Sequence, residues 1–272
     1  MDTLFDLCRT IGLPEEVTKT VVQIEQTLDF SVLKSTIAML RHQETWQQGR
    51  EELTVLLGDD PRGFKMLTCQ LLCALECHRD YAAWGFSDKI YADTFACFTR
   101  FVNEHLESFG CYGFDRGFWT VRQISGMLLR IGQLEYELLT EKGKHVVSLH
   151  IPSDANMTTP LLRASWEEAK ELIDRTFPEY QDVPYVCGSW LLSPDLKDLL
   201  PPSSRILQFQ KSFTLTNTFA DQEFKEWVYK RTDIPNEDLP EDTSLQRSLK
   251  AFLLNGGIFR SGEGYLIGNP FQ

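Results

Sequence analysis

At 272 residues the chain is long enough for one large or two ordinary domains, each able to bury a core of its own. Its 42% hydrophobic and 24% charged residues exclude disorder as the default, and it contains no apolar run of the ~18 residues that a membrane-spanning helix requires. With 39 acidic against 27 basic residues, a formal net charge of -12, it lacks the clustered lysines and arginines that hold nucleic acids and anionic membranes, so neither is an expected partner.

The start, Met1-Asp2-Thr3-Leu4-Phe5-Asp6, has neither the basic flank nor the apolar core of a signal peptide. Seven cysteines without a compact spacing suit a reducing compartment, and a cytoplasmic location is expected. Residues 1–112 read as helices. Leu4, Phe5, Leu7, Cys8 and Ile11 form an amphipathic series that Gly12 and Pro14 interrupt, and further periodic segments cover about 17–28, 32–57, 64–81 and 90–109. Asp60-Pro61 and Ser87-Asp88 look like helix starts, and Gly58, Gly85 and Gly110 like stops. Cys69, Cys73 and Cys77 stand at successive i, i+4 steps with His78 beside the last, but the paired spacing of a zinc site is missing, so small buried side chains are the simpler reading and no metal is expected. The row Tyr91, Phe95, Phe98 and Phe101 reads as core packing.

Three glycines within Gly110 to Gly117 suggest a connection, dividing the chain into a helical domain at 1–112 and a second domain at 113–272. A short segment with Trp119, Arg122 and Gln123 leads to Leu128 through Leu138, which alternates as a half-buried strand, and Val146 to Ile151 forms a second strand after the turn Glu141-Lys142-Gly143-Lys144. Pairing about that turn sets Glu135 opposite His150 and Tyr136 opposite Leu149. Glu135, Glu137, Ser148 and His150 then share one face, and Leu134, Tyr136, Leu138, Leu149 and Ile151 the other.

Pro152 ends the ladder, and after a polar run Thr159 is placed to cap a helix with Pro160 at its first position, running to Pro178. That order concentrates backbone N–H groups where an anion can dock. Residues 183–192 form a third strand, whose place after a helix favours parallel pairing; 194–200 form a short helix; and 206–215 form another strand with Gln208 and Gln210 on one face and Leu207 and Phe209 on the other. Helices at Phe224 to Tyr229 and Ser244 to Leu254 follow, the second stopped at Asn255-Gly256-Gly257, and a last strand spans 258–267. The fold class is α+β or α/β: a helical N-terminal domain followed by a mixed-sheet domain.

Phe118-Trp119 with Arg122-Gln123, Arg130-Ile131-Gly132 with Leu134-Glu135-Tyr136-Glu137, His150-Ile151-Pro152-Ser153-Asp154, Cys187-Gly188-Ser189-Trp190-Leu191-Leu192, Gln208-Phe209-Gln210, Leu239 to Gln246 and Gly256-Gly257 are the strings that carry a family resemblance. With them the chain resembles a bacterial two-domain family that joins a helical N-acyltransferase-type domain to a GNAT-like C-terminal acyltransferase domain. The resemblance implies an acyl-coenzyme-A-dependent N-acyltransferase that moves an acyl group from coenzyme A to a small-molecule or other amine acceptor. It also places the donor's pyrophosphate between a central strand and the next helix, here the loop from Ile151 through Ser153, Asn156 and Thr158 to Thr159. That loop has no glycine, unlike the family's glycine-rich signature, which motivates a second reading: a non-catalytic ligand-binding or interaction protein that kept the fold after losing the donor site.

Amine acylation needs a general base that titrates near neutrality, and His150 supplies one, with Glu135 to orient its ring or raise its basicity. A histidine satisfied in the core, and a structural ion pair between Glu135 and Arg122 or Arg130, are the competing readings. Arg122 can hold a carboxylate or phosphate through paired hydrogen bonds, and Trp190 can wall a substrate pocket or pack in the core. Cys187 and Ser189 line the substrate side in the leading reading and offer a nucleophile in a third, a thiol-dependent hydrolase. Tyr265 has the chemistry of a general acid toward a departing thiolate, but the sequence does not place it.

Overall fold

The structure, a computed structural model, describes residues 3–272. It divides into two compact units, the first ending at Ile131 and the second spanning Gly132–Gln272.

The first unit holds α1 (Leu4–Thr10), α2 (Glu15–Thr27), α3 (Lys34–Met39), α4 (Trp46–Leu57), α5 (Phe64–Ala83), α6 (Asp88–Phe95), α7 (Cys97–Phe109), α8 (Gly117–Ile124) and the short strand β1 (Leu128–Ile131). The expected helix over 32–57 is two helices, α3 and α4, and Gly49 of α4 lies against α3, where a Cβ would stand 2.7 Å from the Met39 Cβ. The segment 90–109 likewise divides, at Ala96, into α6 and α7. Helix α5 is the unit's spine, and Asp60 closes its N-terminus by accepting hydrogen bonds from the backbone N–H groups of Lys65 (3.1 Å) and Met66 (3.0 Å). It buries Leu67, Leu71, Cys69, Cys73, Cys77 and Tyr81. The aromatic row is core, as its spacing implied: Tyr91, Phe95, Phe98 and Phe101 are all buried, with ring centroids 4.9 Å apart between Tyr91 and Phe95 and 6.3 Å between Phe95 and Phe98. The buried Gln70 side chain is satisfied inside the unit: its amide donates to the Gly117 carbonyl (3.0 Å) and its oxygen accepts from the Thr120 hydroxyl.

The second unit holds β2 (Leu134–Glu141), β3 (Lys144–His150), α9 (Thr159–Thr176), β4 (Tyr185–Ser189), α10 (Leu196–Leu199), α11 (Arg205–Gln210), β5 (Phe213–Ala220), α12 (Glu223–Val228), α13 (Ser244–Leu254) and β6 (Arg260–Leu266). Its strands run in the order β2-β3-β4-β6-β5, with β3 and β4 parallel and the other neighbours antiparallel. The parallel pair joined through α9 is the strand–helix–strand unit expected.

Three expectations are corrected. The strand expected over 128–138 is interrupted at Gly132, whose φ of +62° is open to glycine and costly for a residue with a Cβ, which here would also stand 2.9 Å from the Ser165 Cβ. Thr158 rather than Thr159 is the N-cap of α9, and its side chain makes no capping hydrogen bond. Arg205–Gln210, expected as strand, is helix α11: the Ser204 hydroxyl accepts from the Ile206 N–H (3.2 Å), and the Gln210 amide donates to the carbonyls of Leu191 (2.8 Å) and Ser193 (2.9 Å). So short an apolar alternation fits one helical turn as well as a strand, and the cap decides between them.

Helix α9 packs on one face of the sheet through Ser165, whose Oγ accepts from the Leu134 N–H (3.2 Å) and lies 3.0 Å from the Tyr136 hydroxyl. Leu162, Ala169 and Ile173 complete that buried stripe. A second cluster, Leu196, Phe224, Tyr229, Leu239, Leu249 and Phe259, gathers the C-terminal elements.

Candidate active site

The β2–β3 hairpin turns on Lys142 (φ +50°) and Gly143 (φ +78°), two residues with positive φ whose twist matches that of the flanking strands. The register is the one read from the sequence, Glu135 opposite His150 and Tyr136 opposite Leu149. Glu137 holds the imidazole: His150 Nε2 lies 2.8 Å from Glu137 Oε2, with the two side chains 21% and 6% exposed. The ring reaches along the strand to the diagonal neighbour, within range of a long side chain. Glu135 is 2% exposed on the same face.

Beyond this pair the sheet opens. The β3–β4 ladder comprises Val147↔Tyr185 and Ser148↔Val186, although β3 continues to His150 and β4 to Ser189. The parallel neighbours therefore pair up to Ser148 and part beside His150, where Pro152 then prevents renewed pairing.

The registers also settle which residues share the His150 face. Val186 is level with Ser148 and with Tyr265 of β6, and Gly188 with Glu263. Side chains alternate, so Tyr265 and Glu263 stand on the face of Ser148 and His150, with glycine in the β4 row between them. A Cβ on Gly188 would meet only the Glu263 Cγ within 4 Å, at 3.7 Å, so this part of the face is bare. The sequence could not place Tyr265, and Glu263 carried no signal of its own; both positions depend on a strand order that brings β6 next to β4.

Cys187 and Ser189 are not brought to His150. They lie on the opposite face, the one that α9 covers at Tyr136. Cys187 is 1% exposed and burial pushes its thiol up to about 12, which removes the thiolate that a nucleophile requires. The Ser189 hydroxyl accepts from the Leu191 N–H (3.1 Å) and starts the turn at Trp190, which packs against the C-terminal cluster. Arg122, in the first unit, lies over the Trp119 ring (4.5 Å to the centroid) and the Trp46 ring (5.9 Å), and donates to the Phe118 carbonyl (3.2 Å).

The loop from Ile151 to Thr159 is folded on itself. The Ala155 N–H donates to the Pro152 carbonyl (2.9 Å), that of Asn156 to the Gln133 side chain (2.7 Å), and that of Thr158 to the Asn156 side chain (3.2 Å). These three amides are thus engaged within the unit; Ser153, Asp154 and Asn156 are exposed. Cys69, Cys73 and Cys77 are buried, which raises all three thiols, those of Cys69 and Cys77 to about 12. Among the described residues no group of three or more histidine, cysteine or acidic side chains is placed to hold a metal, and no helix is long and apolar enough to cross a membrane.

A helical unit followed by a mixed sheet whose parallel strands part beside a titratable pair defines the class, an acyltransferase-type protein of GNAT-like fold. Residues 2–126 match the N-acyltransferase N-terminal domain and residues 128–266 the GNAT-like C-terminal domain, and the chain belongs to the family that these two domains define. Among solved structures, an acyltransferase in complex with decanoyl-CoA and teicoplanin is 25% identical, with 96% of this chain and 87% of that one covered and a TM-score of 0.80. An acyltransferase in complex with CoA and 10C-teicoplanin is 24% identical over 98% and 88%, TM-score 0.81, and a mutant acyltransferase with octanoyl-CoA is 24% identical over 96% and 87%, TM-score 0.81. No curated protein matches the chain.

Proposed function

We propose that the chain is an acyl-coenzyme-A-dependent N-acyltransferase with a small-molecule amine as acceptor, acting in the cytoplasm. One observation carries the reading: the β3–β4 ladder ends beside a histidine that a buried carboxylate holds at 2.8 Å. The parted strands leave backbone groups to line an extended thioester donor, and the His150 ring stands at that opening.

With Glu137 accepting the Nε2 proton, neutral His150 carries its lone pair at Nδ1, where it takes the proton that the amine loses as the new C–N bond forms. The C–S bond breaks, and the coenzyme A thiolate takes a proton from the Tyr265 hydroxyl. Glu135, Glu137 and Ser148 support the imidazole's face of the sheet, and Glu263, across the bare Gly188 row, offers a carboxylate to an acceptor ammonium. The donor's phosphates fall to the loop at 151–159, with the hydroxyls of Ser153, Thr158 and Thr159 and the N-terminus of the 18-residue helix α9 as donors. Decanoyl-CoA and octanoyl-CoA, bound by the solved acyltransferases, suggest a medium acyl chain, and the teicoplanin of two of those complexes suggests an amine on a small glycopeptide-like acceptor.

Isothermal titration with CoA, octanoyl-CoA and decanoyl-CoA tests the donor assignment, and absence of binding to all three defeats it. The glycine-free loop with three engaged amides favours the second reading, a non-catalytic ligand-binding protein. Acyl transfer to an amine that is lost in His150→Ala, with the fold retained, eliminates that reading.

A further inference from the structure

We propose that Arg163 binds the diphosphate of the coenzyme A donor, supplying the positive charge that the loop at 151–159 lacks; the inference rests on the acyl-coenzyme-A reading above. Ile151 to Thr159 includes no lysine or arginine and one carboxylate, Asp154, and three of its amides are engaged within the unit. A diphosphate carries two negative charges, and hydroxyls with one helix start offer them no full countercharge. Arg163 is the first basic residue after the loop. It stands in the second turn of α9, four residues beyond Thr159 and therefore on the same face of the helix.

The guanidinium is anchored at one nitrogen and open at the other two. Its Nε donates to the Phe271 carbonyl (2.8 Å), and neither terminal nitrogen has a hydrogen-bond or ion-pair partner among the described residues. Phe271 is itself fixed: it is buried, its N–H donates to the Ser212 hydroxyl (2.8 Å), and its ring stacks on that of Phe209 at 5.9 Å between centroids. A half-buried guanidinium with unmet N–H groups calls for an anion, and a fork already held at Nε presents paired donors that match two phosphate oxygens. Helical side chains lean toward the N-terminus, which carries that of Arg163 toward Thr159 and the loop. Glu167, one turn in the other direction, forms no ion pair with it, so the open edge is not taken by a carboxylate of its own helix.

Titration calorimetry of the full chain with CoA and with 3′-dephospho-CoA, which keeps the diphosphate, tests the proposal. Arg163→Ala is expected to weaken both about 10- to 100-fold, the range of lost charge-assisted hydrogen bonds, with the circular dichroism spectrum unchanged. Arg163→Lys keeps the charge without the fork and spares the fold should the alanine variant not; it is expected to weaken both by about tenfold or less. Affinities that are equal in the native chain and both variants overturn the proposal and leave the acyl-coenzyme-A reading standing. A loss confined to CoA overturns it in favour of the 3′-phosphate. A native chain that binds neither ligand defeats that reading and this inference together.

Discussion

Helix α5 and the β2–β3 hairpin both bury reactive side chains, to opposite effect. In α5 the thiols of Cys69, Cys73 and Cys77 are buried, those of Cys73 and Cys77 donating to the Ile37 and Ile124 carbonyls, and desolvation keeps them protonated. In the hairpin, Glu137 is buried in contact with a histidine that keeps part of its ring accessible. Burial alone silences a group; in the proposed mechanism, burial against a titratable partner at the end of a strand ladder serves proton transfer instead. The contrast makes a division of effects: changes in the hairpin should alter turnover, and changes at sealed thiols should alter stability.

The largest effect expected is on turnover. His150→Ala lowers kcat about 10²- to 10⁴-fold, the range that a general base supplies, while octanoyl-CoA affinity by titration calorimetry stays the same. A change in thermal midpoint without loss of kcat would place His150 with the structural residues.

Stability against pH sharpens the other half. The Cys187 thiol titrates near 12 in the fold against an ordinary 9.0, so the folded state holds its proton more tightly than the unfolded chain does. Its contribution is fully present below pH 9, is lost as pH rises through about 12, and amounts to roughly 4 kcal/mol at about 1.36 kcal/mol per pH unit. Denaturant melts of the native chain between pH 8 and pH 11 should show stability falling with pH, and Cys187→Ala should remove one thiol's share of that slope, the buried Cys8, Cys69, Cys73 and Cys77 keeping theirs, without changing kcat at neutral pH.

Smaller effects probe the hairpin itself. Glu137→Gln leaves the shape but removes the charge that orients and supports the imidazolium, and kcat should fall about 10- to 100-fold with its pH profile displaced toward lower pH. Rate profiles distinguish this from Glu135→Gln, for which a smaller loss is expected because Glu135 is not the residue at 2.8 Å from the ring. On the face under α9, Tyr136→Phe removes a hydroxyl 3.0 Å from Ser165 Oγ and should cost about 1 kcal/mol in denaturant midpoint with little effect on rate.

Much of the architecture was legible in the amino acids. Apolar periodicity marked the helical segments, the Lys142-Gly143 turn set the hairpin and its register, and a strand, Pro152 and a long amphipathic stretch marked the parallel unit. These are local signals, each complete within some thirty-five residues of consecutive chain. Where two local signals competed, the reading failed. The Leu207 and Phe209 alternation suited a strand until Ser204 capped a helix, and Gly132 cut a strand whose alternation looked continuous.

The candidate site was legible only in part, for a physical reason. Alternation along a single hairpin puts Glu135, Glu137, Ser148 and His150 on one face, so the amino acids alone determined that these groups gather. Three matters belonged to tertiary structure: that Glu137 reaches the ring, that the ladder stops beside it, and that Tyr265 and Glu263 arrive on that face while Cys187 turns away. The first depends on how far a side chain reaches within the hairpin, and the other two on which strands become neighbours and where their hydrogen bonds end, set by packing between segments about forty to about eighty residues apart, to which no local pattern has access.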